Sequence, residues 1–135
     1  MEDYVRNYLV ALPLFILIDF AWIGFVMKDV YLREMGALGR TYDGVFKPNL
    51  AAALLAWALI PAGIVIFAVP RLTADSDVPD VVGWGALFGF ITYGIYDLTN
   101  LATLKDYSIK LTALDTAWGT ALSAAITLIV WLVAK

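Results

Sequence analysis

Ile109-Lys110-Leu111-Thr112-Ala113-Leu114-Asp115-Thr116-Ala117-Trp118-Gly119-Thr120-Ala121-Leu122-Ser123-Ala124-Ala125-Ile126-Thr127-Leu128-Ile129-Val130-Trp131-Leu132-Val133-Ala134 decides the fold class. Roughly 20 apolar residues cross a bilayer core as a helix, and this run exceeds that while carrying only Lys110 and Asp115 as charges. It shows no strand alternation. A helix satisfies its own backbone in lipid, so helix is the expected form. Asp115 is then the anomaly, because a carboxylate in hydrocarbon is tolerated mainly when it pairs, faces a bundle interior or meets water.

Three further apolar segments accompany it, giving spans at about 8–27, 50–69, 81–104 and 109–134 within a single domain over 1–135. The 135-residue chain is 62% hydrophobic, against about half in a soluble domain, and its mean hydropathy is +0.82. The fold class is all-α, an integral membrane four-helix bundle. The sequence has no Cys and no His. Disulfides, thiol catalysis and haem or zinc ligation by His or Cys are thereby excluded, and no cofactor is named. Net charge is -3 without a basic run, which argues against nucleic acid as a partner. The start, Met1-Glu2-Asp3-Tyr4-Val5-Arg6, lacks a basic n-region, so the first segment reads as a retained helix.

Pro61 is expected to kink the second segment by removing a backbone donor. Pro70 and Pro79 read as stops around the polar loop Arg71 to Asp80. The short link Leu104-Lys105-Asp106-Tyr107-Ser108 makes the last two helices an antiparallel hairpin. In the longer loop Lys28 to Lys47, Met27, Val30, Tyr31, Met35 and Leu38 recur at helical spacing. They suggest a short interfacial helix, lying on the membrane surface or packed on the bundle end. Loops one and three hold six Lys/Arg against three on the other side. The positive-inside rule therefore places those loops in the cytoplasm and both termini outside.

At 1.5 Å rise per residue, Asp19 lies about 12 Å, Asp97 about 10 Å and Asp115 about 9 Å from that cytoplasmic end. Three helices thus bring one carboxylate each to a similar level. Asp19-Phe20-Ala21-Trp22 and Asp115-Thr116-Ala117-Trp118 repeat one pattern in opposite directions, and each Trp lies on the face of its own Asp, where an indole N–H can donate to a carboxylate. Tyr93, Tyr96, Asn100 and Asn49 are candidate members of the same layer, and Lys105, Lys110 or Arg40 are candidate countercharges. The bland alternative is interhelical glue, with bonds averaging well under about 2 kcal/mol. No metal-ligand spacing of the EF-hand kind is present. Tyr96-Asp97 is like one intramembrane aspartyl protease motif, but Asp115 lacks the Gly-x-Gly that would precede the second.

Gly85 and Gly89, with Gly119, Ser123 and Thr127, form small-residue rows that let helices approach closely, more naturally within the chain than across a dimer. Trp84, Trp131, Tyr4, Tyr8 and Tyr107 read as interfacial anchors. Trp57 is too deep for that and reads as packing or a ligand wall.

Tyr96-Asp97-Leu98-Thr99-Asn100-Leu101-Ala102-Thr103-Leu104, with Asp115 to Thr120, Asp19 to Gly24 and Tyr31 to Leu38, resembles a family of small bacterial membrane proteins, domain of unknown function 2177 (DUF2177). The resemblance spans essentially the whole chain and implies a four-helix bacterial inner-membrane protein with no assigned activity. Three functional readings stand beside each other. One is a carboxylate layer binding a small ligand, proton or cation, with Asp19, Trp22, Asp97, Asn100, Asp115, Trp118, Tyr93 and Tyr96 as its candidates. The second is a non-catalytic accessory or assembly subunit of a larger membrane complex, and the third a membrane-embedded lipid-active enzyme. The expected partners are the lipid bilayer and a homodimer or larger complex.

Overall fold

The computed structural model describes residues 2–135. Helix α1 (Glu2–Ala21) continues into a π-helical turn, Trp22–Val26, and a short α2 (Lys28–Met35) follows with a 3-10 turn, Gly36–Leu38. A two-residue hairpin, β1 (Thr41–Tyr42) and β2 (Val45–Phe46), leads to α3 (Leu50–Gly63). That helix continues through a second π-turn, Ile64–Ala68, and a 3-10 turn, Val69–Arg71. Helices α4 (Val78–Thr103) and α5 (Ile109–Ala134) complete the chain. Among the described residues, four helices are long and apolar enough to cross a membrane, at Asp3–Val26, Leu50–Arg71, Val78–Thr103 and Ile109–Ala134.

Local chemistry sets the ends of these elements. Asn49 accepts from the Ala52 N–H at 3.1 Å and starts α3, so it is a helix cap and no member of the carboxylate layer. Asp77 and Asp80 form a reciprocal capping box at 3.0 and 3.3 Å. Pro79 therefore opens α4 instead of stopping a segment, since a proline in the first turn forfeits only a donor that has no partner there. Ser108 caps α5 through the Leu111 N–H at 3.1 Å. Asp43 and Gly44 adopt φ of 51° and 74° in the hairpin turn, the left-handed pair that a two-residue hairpin demands. The sequence reading had no strand at this point.

The core lies between α1, the π-turn of α3 and α5, and is made of Ala11, Phe15, Ile64, Val65, Ala68, Leu122, Ile126 and Val130. Pro61 is buried and lies three residues before the π-turn of α3. Near it the Tyr8 hydroxyl donates to the Ala58 carbonyl at 3.1 Å, so Tyr8 joins two helices and is no simple interfacial anchor. Leu50, Leu54, Leu55 and Leu59 project from α3 with more than a third of their surface open, as suits a face turned to lipid.

Helices α4 and α5 meet at backbone distance. A Cβ on Gly85 would lie 2.8 Å from both the Ala124 Cα and the Ser123 carbonyl oxygen. One on Gly89 would run into the Gly119 carbonyl oxygen and the Ser123 side chain, and one on Gly119 into the Tyr93 ring. The row serves a contact inside the chain. Without a hydrophobic drive between helices in lipid, such close approach and its dispersion contacts hold the pair together.

Candidate functional site

The three carboxylates come from different helices and take their donors across the bundle. Asp19 on α1 is 4% exposed and Asp97 on α4 is fully buried. Asp19 Oδ2 accepts the Trp57 indole N–H at 2.7 Å, and its Oδ1 accepts that of Trp118 at 2.8 Å. The second Asp-x-Ala-Trp copy thus supplies its indole to the carboxylate of the first. Trp22 stacks on Trp118 with ring centroids 4.1 Å apart and planes at 4°. Its own Nε1 is buried without a hydrogen-bond partner, so Trp22 does not donate within its motif as its spacing implied. Both Asp19 oxygens are already taken by the indoles of Trp57 and Trp118. Beyond Trp22, Met27 N–H bonds Trp22 C=O at 2.8 Å, a five-residue step that redirects the side chains that follow.

Asp97 Oδ1 accepts the Tyr107 hydroxyl at 2.9 Å, and Oδ2 accepts that of Thr116 at 3.4 Å. Asp115 Oδ1 accepts the Tyr31 hydroxyl at 2.5 Å. The Asp97 and Asp115 carboxyls are neighbours, close enough for each to act on the other's charge. Two ionised carboxylates this close repel unless a proton or cation stands between them. Among the described residues no Lys or Arg forms an ion pair with any of the three; Lys110 turns to Glu34 instead, at 3.4 Å.

Beyond this geometry stands one comparison. The model of a family of predicted membrane proteins, DUF2177, matches residues 4–132. The chain belongs to the DUF2177 family. No curated protein and no solved structure matches it.

In this DUF2177 protein the remaining sequence candidates divide. Tyr93 packs its ring on Gly119, and its hydroxyl lies within electrostatic range of all three carboxyls. Tyr96 is 61% exposed and stands away from them; one position before the buried Asp97, it falls on another face of the same helix. Asn100 lies near the Tyr107 hydroxyl but makes no direct bond to a carboxylate. The sequence gives no signal for Tyr31 and Tyr107 as donors, and for Trp57 it offers packing or a ligand wall. Tyr31 was marked only as part of an apolar stripe, which does not say where its hydroxyl goes. Burial, followed by the Asp115 charge, pushes the Tyr31 hydroxyl above the ordinary tyrosine range. Burial also raises Tyr107. Both are therefore fixed as donors.

Helix α2 packs on the bundle end. Beside Tyr31, Glu34 Oε2 accepts the Ser108 hydroxyl at 2.6 Å, and Glu34 Oε1 faces Lys110 and, at 3.9 Å, Arg33. The Ser108 donor, with Lys110 and Arg33, holds the Glu34 carboxyl below its ordinary value. A depressed carboxyl contributes stability above its unfolded pKa and loses it as pH falls through the folded one. Attachment of α2 is therefore expected to be full at neutral pH and to weaken on acidification below the usual glutamate range. Hydrogen exchange of the α2 amides against pH measures this. Glu34→Gln should flatten the profile, and an unchanged profile in that variant would refute the assignment.

Proposed function

We propose that this DUF2177 protein is a multi-pass protein of the bacterial inner membrane that binds and exchanges a proton at the Asp97–Asp115 pair. Asp19, fixed by two indoles, is the third carboxyl of the site. One observation carries the reading: two carboxyls from adjacent helices face each other inside the bundle, supplied with hydroxyl donors and with no cationic side chain. A proton suits this set better than a metal ion, because among the described residues no three carboxylates converge on one point, and hard cations take six or more oxygens. Loops one and three are placed in the cytoplasm by the positive-inside count. Tyr107 and Tyr31, both in segments outside the spans, then contact the pair from the cytoplasmic side.

The test is proton uptake on a pH jump, read by a dye with the protein in nanodiscs. Wild type is expected to take up about one proton more than the Asp97→Asn/Asp115→Asn variant, the stoichiometry of a carboxyl pair that titrates in separate steps. Superposed uptake curves from two equally folded proteins would remove the proposal.

A further inference from the structure

We infer that α2 is a hinged lid that closes the Asp97–Asp115 pair off from the aqueous phase. The inference rests on the reading of that pair as a site and adds how it is reached. Both ends of α2 are breaks in the helical chain. Met27, ahead of it, sits at φ -113°, ψ 6°, and Gly36, behind it, at φ 51°, ψ -129°. A Cβ on Gly36 would meet nothing within 4 Å, so it is the backbone angle that calls for glycine there.

The grip of the lid is polar and small. Tyr31 is the one buried residue of α2. The hydrogen bonds and ion pairs to the bundle come from Tyr31 on Asp115 and from Glu34 on Ser108 and Lys110. These two side chains are three apart, on one face of a helix. An element held by few buried apolar contacts opens at low free energy, whereas α4 and α5 are locked by a backbone-close seam. Tyr31 is also interposed in the site. Its hydroxyl lies beside the buried Trp22 Nε1 while donating to Asp115. When Tyr31 leaves, an unused N–H donor and a freed carboxyl oxygen face the same gap. Water entering there has hydrogen-bond partners on both sides.

The chain has no native cysteine, so Thr116→Cys places a unique thiol on the neighbour of Asp97. Its modification by a charged methanethiosulfonate in nanodiscs reads access to the site. Adding Tyr31→Phe is expected to raise the rate about fivefold, the ratio that one lost hydrogen bond supplies. Adding Glu34→Gln should raise it by a smaller factor. Hydrogen exchange of the α2 amides, on chains without the cysteine, should accelerate in the same two variants. Rates that stay the same in both measurements overturn the lid. Access is read independently of protonation. A graded thiol rate without proton uptake supports the lid and sinks the proton reading. Uptake with flat rates does the reverse.

Discussion

Gly89→Val is expected to cost the fold about 3 kcal/mol or more, at or above the upper end of what overpacking a filled interior usually costs. The reason is what the new side chain meets. Its Cβ would drive into the Gly119 carbonyl oxygen, which belongs to the backbone of a helix, and come within 2.7 Å of the Ser123 side chain. A flexible neighbour could swing away, but a helical carbonyl cannot without parting α4 from α5. These are the helices that carry Asp97 and Asp115, so separation of the seam also disperses the site. Gly83→Ala is the matched control on the same helix, because a Cβ there meets nothing within 4 Å. Thermal unfolding in detergent, followed by tryptophan fluorescence, should drop sharply for Gly89→Val and stay level or rise slightly for Gly83→Ala. Equal midpoints in the two variants would show that the seam does not hold the pair.

Asp19→Ala should be the most damaging of the carboxylate substitutions to stability. Each carboxylate oxygen accepts one indole N–H, from Trp57 and from Trp118, so truncation strands two half-buried donors at once. A stranded buried donor costs about 1–3 kcal/mol, while polar contacts between membrane helices average about 0.6 kcal/mol. A total loss of roughly 2 kcal/mol is the expected result between those limits. Asp19→Asn should fall in between, since its one carbonyl serves one indole while its amide confronts the other with a second donor. Adding Trp57→Phe to Asp19→Ala should cost less than the two changes made separately, because the donor that was stranded is then gone. Full additivity in that cycle would mean that the indole and the carboxylate act independently.

The four spans and the antiparallel α4–α5 hairpin were legible from run length and from the five-residue link. So was the short helix after the first span, whose apolar stripe is visible at helical spacing. The start of α4 was misplaced because Pro79 was read as a break, and only the Asp77–Asp80 capping box shows it to be an opening turn. Within the site, counting residues gives Asp19, Asp97 and Asp115 a common expected depth, but it does not give their partners. Each Asp-x-Ala-Trp copy looked self-contained, yet Trp118 serves Asp19, 99 residues away, and Asp115 is served by Tyr31, 84 residues away.

The sequence by itself determined that this is a four-span bundle with three carboxylates in it. Transfer of a run of side chains into lipid is a sum over local residues, and depth is a count along one helix. The tertiary structure alone decided which donor meets which carboxylate, and that Tyr31 of α2 reaches Asp115. Those facts depend on how far each helix is rotated about its axis and on how closely its neighbours approach. The five-residue step at Trp22 sets one such rotation, and the glycine seam at Gly85, Gly89 and Gly119 sets the approach.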